Sequence, residues 1–78
     1  MRVVKDERAN LTVVFANDGT MWRWTGWGWR QLPNPPGGRR IVDLVTCFPC
    51  GDAWRADDMS FWYLSSNNDA AEPWTQVP

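Results

Sequence analysis

The chain has no histidine among its 78 residues. That removes the side chain most often used as a general base near neutral pH, and one of the usual zinc ligands. Cysteine is scarce, with Cys47 and Cys50 the two it has, so no disulfide framework staples the fold. No serine or cysteine sits beside a recognisable base, and there is no phosphate-cradling glycine loop, since Gly37-Gly38 follows prolines and not a strand. No apolar run approaches the ~18–20 residues a membrane-spanning helix needs. Eight Lys+Arg against nine Asp+Glu leave a net charge of −1 with the signs interspersed. That balance provides no footprint for nucleic acid or for an anionic membrane. The opening stretch Met1-Arg2-Val3-Val4-Lys5-Asp6-Glu7-Arg8 is charged where a secretory leader would be apolar, so a cytoplasmic location is expected. Taken together, these absences argue against an enzyme and call for no cofactor.

What the chain does have is tryptophan, seven in all, and a duplicated phrase. Slid along itself, the sequence lays Ala16-Asn17-Asp18-Gly19-Thr20-Met21-Trp22-Arg23-Trp24 on Ala56-Asp57-Asp58-Met59-Ser60-Phe61-Trp62-Tyr63-Leu64 without a gap. Both copies close alike, on Trp29-Arg30-Gln31-Leu32-Pro33 and Trp74-Thr75-Gln76-Val77-Pro78, and open alike, on Arg2-Val3-Val4 and Arg40-Ile41-Val42. The offset from Trp22 to Trp62 matches the period of one propeller blade, roughly 40 residues. The spacing divides a single domain, 1–78, into repeat one over 2–33, a linker over 34–39 and repeat two over 40–78. The linker is marked by Pro33-Asn34-Pro35-Pro36-Gly37-Gly38, through which no strand can run.

Within each copy the pattern predicts strands. Leu11-Thr12-Val13-Val14-Phe15 is β-branched and aromatic and runs into the turn Asn17-Asp18-Gly19. Met21-Trp22-Arg23-Trp24 follows, then Thr25-Gly26, then Trp27-Gly28-Trp29-Arg30. A two-residue turn at Thr25-Gly26 would set Trp24 opposite Trp27 and Trp22 opposite Trp29, with four indoles on one face. In repeat two the strands fall at Arg39–Thr46, Gly51–Ala56 and Phe61–Leu64, with a longer polar loop from Ser65 to Glu72. The expectation is an all-β chain of two four-stranded antiparallel blade-like repeats. A small monomeric barrel or sandwich is the alternative.

An aspartate-bearing turn before an aromatic strand, closed by a Trp-x-x-Leu-Pro-type strand, resembles the blade repeats of tectonin-like and related bacterial propellers. The resemblance spans nearly the whole chain, although repeat two has Met59 where repeat one has Gly19. It implies that two blades assemble with other copies, because propellers close with ~4–8 blades. A homo-oligomer, propeller-like on assembly, is therefore expected.

Candidate binding residues come from the tryptophans. Trp22, Trp29, Trp62 and Trp74 recur at equivalent places and read as core between blades. Trp24, Trp27 and Trp54 have no tryptophan counterpart, so each is either buried or faces a ligand; an exposed indole anchors a protein interface or stacks on a sugar ring. Arg23, Arg30 and Arg55 lie near them in sequence and can hydrogen-bond or stack, although solvated strand positions explain them equally well. The leading expectation is a non-catalytic protein-interaction module of the phage or mobile-element accessory type. A lectin-like module with glycan sites at blade junctions is the alternative. Cys47-Phe48-Pro49-Cys50 reads most simply as a loop with two thiols. As a metal site it needs ligands this chain lacks, unless both cysteines of each of two chains share one ion. Asp18, Asp57 and Asp58 read as turn residues.

Overall fold

The computed structural model describes residues 1–48, 51–67 and 70–78. It is all-β, with eight strands among the described residues: β1 (Arg2–Asp6), β2 (Leu11–Phe15), β3 (Met21–Trp24), β4 (Trp29–Leu32), β5 (Ile41–Val45), β6 (Ala53–Ala56), β7 (Phe61–Leu64) and β8 (Trp74–Gln76). They form two separate antiparallel sheets, each a simple meander, in the orders β1-β2-β3-β4 and β5-β6-β7-β8. Short, β-branched and aromatic segments bounded by Asp, Gly and Pro turns leave the chain no length for helix.

The repeat holds at the level of register. Val14 pairs with Trp22, Trp22 with Gln31 and Trp24 with Trp29 in the first sheet; Trp54 pairs with Trp62, Trp62 with Gln76 and Leu64 with Trp74 in the second. The β2–β3 and β6–β7 turns are bonded alike. Gly19 N–H donates to Ala16 O at 3.1 Å, and Met59 N–H donates to Ala56 O at 3.0 Å. Met59 takes the same left-handed backbone as Gly19, at φ 71° against 91°. Loss of the glycine has thus not changed the turn.

One pairing differs from the sequence reading. The β3–β4 connection is not the two-residue turn Thr25-Gly26 but the four residues Thr25–Gly28, closed by Thr25 N–H to Gly28 O at 2.9 Å. The Thr25 hydroxyl oxygen stabilises it further by accepting from Trp27 N–H and Gly28 N–H, both at 3.2 Å. Trp24 therefore faces Trp29 and Trp22 faces Gln31, while Trp27 rides in the loop. Threonine disfavours the positive φ that a tight two-residue turn demands, and the wider loop places Gly26 there instead, at φ 94°.

The two sheets stack through one shared core. The first sheet contributes Leu11, Val13, Met21 and Leu32, with Val4 and Phe15 partly buried against them. The second contributes Ile41, Trp54, Ala56, Trp62, Leu64 and Trp74, with Leu44 partly buried. Polar groups stitch the same boundary. Trp54 Nε1–H donates to Asp6 Oδ2 at 2.6 Å, Glu7 N–H to Asp52 Oδ2 at 2.6 Å, and Trp74 Nε1–H to Pro33 O at 2.7 Å. Arg8 lies over the Tyr63 ring at 4.1 Å.

Strand alternation makes this stacking asymmetric. Met21 and Arg23 point into the core from β3, whereas their repeat mates Phe61 and Tyr63 point away from it on β7. Conversely Trp62 and Leu64 are core, and their mates Trp22 and Trp24 are not. The second sheet thus meets the first with the opposite face from the one the first presents. The stack is face to back.

Candidate functional site

The face of the first sheet that points away from the second carries Val3, Val14, Trp22, Trp24 and Trp29. Residues Met1, Val3, Thr12, Val14, Ala16, Trp22 and Trp29 line a groove of about 590 Å³ on it. Trp29 is 49% exposed, Val3 58% and Trp24 43%. Trp24 and Trp29 meet edge to face, their ring centroids 5.2 Å apart, which holds both indoles in fixed orientation at the end of the β3–β4 hairpin. Trp22 is anchored from behind: its Nε1–H donates to Thr20 Oγ1 at 2.8 Å, and that hydroxyl donates to Asp18 Oδ1 at 2.6 Å. The same Asp–hydroxyl–indole relay recurs in the second sheet as Asp58, Ser60 and Trp62, where the indole is buried. The hydroxyl bond is the main cause holding the Asp18 carboxyl below its usual range. Ser60 does the same for Asp58, lowered to about 2 with help from Arg39 at 2.8 Å.

The six residues singled out by sequence do not form one cluster. Trp24 lies on the outer face of the first sheet, and Trp27 is 97% exposed at the hairpin tip. Trp54 is fully enclosed between the sheets, bonded to Asp6 and 6.0 Å from the Phe15 ring. Arg23 and Arg30 pair across β3 and β4 on the face opposite Trp24. Arg23 is 2% exposed and donates to Ser65 O at 3.2 Å, while its Nε meets no partner. Burial first, and then the Arg30 charge, make its guanidinium less basic than usual. Arg55 lies on the far face of the second sheet, bidentate with Asp43 at 3.0 and 3.1 Å. That pairing lowers the Asp43 carboxyl and raises Arg55.

Cys47 is exposed with φ 56°, and Cys50 lies outside the described residues. Among the described residues no group of three or more Cys, Asp or Glu is placed to hold a metal ion, and no helix is long and apolar enough to cross a membrane. The far face of the second sheet carries Phe61 and Tyr63, both half-buried, with Phe48 stacked on Phe61 at 4.2 Å. Comparison with protein-family models, with curated proteins and with solved structures finds no match for this chain.

The sequence reading does not single out the groove residues Val3 and Val14. It also assigns Trp22 and Trp29 to a core between blades, whereas the first sheet presents both on its uncovered side. The alternation of β1 to β4 already places these four on one face; only the stacking order of the sheets reveals which face is left open.

Proposed function

We propose that this chain is a non-catalytic protein-interaction module that binds through the outer face of its first sheet. One observation carries the reading: five apolar positions, Val3, Val14, Trp22, Trp24 and Trp29, share one sheet face, all but Trp24 lining a groove on it, with no described element of this chain covering that face. Large exposed apolar faces mark interaction sites, and fixed indoles are the commonest hot-spot side chains. Trp24 and Trp29 are the anchors. The absence of histidine and of a nucleophile–base set supports binding and not catalysis. The test is capture of a protein partner on immobilised chain, compared with Trp29→Ser and Trp24→Ala. Each substitution is expected to weaken binding roughly 30-fold, as a hot spot of about 2 kcal/mol does. Undiminished capture by both variants contradicts the reading.

A glycan-binding reading has one observation in its favour, the nearly bare indole of Trp27 at the hairpin tip. It requires binding on a glycan array that Trp27→Ala removes while the melting temperature stays put. A blank array retires it.

A further inference from the structure

We infer that the partner seated on this face is a second copy of the chain, which docks the outer face of its β5–β8 sheet there and so repeats between chains the junction already made within one. The inference rests on the protein-interaction reading above and supplies its partner. Register defines which residues correspond. Val3 matches Leu44, Val14 matches Trp54, Trp22 matches Trp62, Trp24 matches Leu64, and Trp29 matches Trp74. In the second sheet Trp54, Trp62, Leu64 and Trp74 belong to the core that the first sheet covers, and Leu44 packs partly buried against it. In the first sheet all five are core-type side chains with no described sheet above them. The first sheet therefore has a core face that lacks its cover.

The missing cover has a known shape, because the first sheet is itself the cover of the second. Beside Leu11 and Leu32, it uses Val4, Val13, Phe15, Met21 and Arg23 for that purpose. The register-equivalent residues of the second sheet are Val45, Ala53, Arg55, Phe61 and Tyr63, all on its outer face. Val45 and Phe61 are apolar and half-buried, Ala53 lies fully buried between its neighbours, and Tyr63 presents a ring that Arg8 of the same chain overlies at 4.1 Å. Arg55 already has its charge balanced by Asp43, so desolvating this face does not strand the Arg55 charge. Phe48, stacked on Phe61, adds a further apolar plate. Each chain thus carries one uncovered core face and one unused covering face. A contact between unlike faces is heterologous. It leaves one face of each kind free at the ends, and the free faces are used up when the series closes on itself. With two sheets per chain and ~4–8 sheets per ring, closure takes about two to four chains. A symmetric contact of one tryptophan face on another would use neither covering face.

The experiment is sedimentation velocity on the full chain, on Trp29→Glu, on Val45→Glu and on an equimolar mixture of the two variants. Trp29 is 49% exposed, and Val45 is half-buried on the outer face of the second sheet, so neither substitution disturbs the internal core. Val45→Glu puts a charge at the position matching Val4, which the internal junction packs against its core. Near-UV circular dichroism verifies that each variant is folded. The expected result is a discrete species of about two to four times the 9.0 kDa chain mass for the wild type. Each variant alone is expected to be a monomer. The mixture is expected to form a one-to-one dimer, because the Val45→Glu chain still has an intact core face and the Trp29→Glu chain an intact cover. A wild type that stays monomeric overturns the inference, as does a Val45→Glu chain that assembles like wild type. Trp29-dependent capture of a foreign protein by a monomeric wild type would leave the interaction reading standing while this inference fell. Loss of both would remove the two together.

Discussion

Trp54 donates its indole N–H to Asp6 Oδ2 at 2.6 Å, joining the two sheets through a pair in which neither residue has any exposed surface. The other carboxylate oxygen accepts from Ala9 N–H at 3.0 Å, so Asp6 both shapes the β1–β2 turn and bonds the opposite sheet. A buried carboxylate with both oxygens engaged is tolerated; one that has lost its partner is not.

Asp6→Ala leaves the Trp54 indole N–H and the Ala9 N–H without acceptors inside the core. At about 1–3 kcal/mol for each buried unsatisfied donor, the loss is roughly 2–6 kcal/mol. Trp54→Phe strands the carboxylate instead and is expected to cost a similar amount. Urea denaturation of both variants measures this. If both lose no more than an ordinary surface substitution does, about 0.5 kcal/mol, the bond contributes nothing to holding the sheets together.

The two Asp–hydroxyl–indole relays are built alike but placed differently, so equal substitutions have unequal effects. Trp62 is 4% exposed, and Ser60→Ala leaves its N–H with no acceptor in a buried setting, at a cost of about 1–3 kcal/mol. Trp22 is only half-buried, and after Thr20→Ala water can take over the bond, for about 0.5 kcal/mol. Both are measured by urea unfolding on the Val45→Glu background, which keeps the outer face uncovered. Equal losses would place Trp22 in an interior this fold does not give it.

Met59 holds a left-handed backbone that glycine adopts freely at the matching position 19. Its side chain is 63% exposed and contributes little packing. Met59→Gly relieves about 1–3 kcal/mol of backbone strain and gives back up to about 1 kcal/mol in unfolded-chain entropy. The expected net gain is about 1 kcal/mol, or ~4–8 °C in melting temperature for a domain of this size. Calorimetry checks it, and a lower melting temperature contradicts it.

Asp58 sets an acid limb. Its carboxyl is held at about 2, against an ordinary 3.8, by the Ser60 bonds first and Arg39 after them. A carboxyl depressed in the folded chain stabilises fully above its unfolded value and loses that contribution as pH falls through the folded one. Stability is therefore expected to decline between about pH 4 and pH 2, with Asp18 and Asp43, also depressed, adding to the same limb. Asp58→Asn is expected to flatten the decline, so that the gap between wild type and variant at pH 6 closes by about pH 2. A gap that stays constant with pH would mean that Asp58 titrates alike in folded and unfolded chains.

Much of this fold is legible in the residues. The aspartate turns, the β-branched and aromatic runs and the proline–glycine linker each act locally, and the strands lie where those signals put them. The repeat offset even carries the register, matching Trp22–Gln31 to Trp62–Gln76. The loop at Thr25 is longer than its sequence suggests because side chain-to-backbone bonds from the hydroxyl favour the wider turn. The burial of Trp54 and Arg23 is not legible either. Alternation says which residues share a face, but not which of the two faces another sheet will cover. That choice depends on contacts between the two repeats, such as Asp6 with Trp54 and Arg23 with Ser65. This is why Trp22 and Trp62, alike in local sequence, have different surroundings.

The most direct measurement is hydrogen exchange at the indole N–H groups, resolved by NMR, in the Val45→Glu chain and in the wild type. In the Val45→Glu chain, Trp62 and Trp74 are expected to be strongly protected, while their mates Trp22 and Trp29 exchange far faster. In the assembled wild type, Trp22 and Trp29 are expected to gain protection and Trp27 to remain open. Equal protection of Trp22 and Trp62, or of Trp29 and Trp74, in the variant chain would contradict face-to-back stacking and the uncovered core face that follows from it.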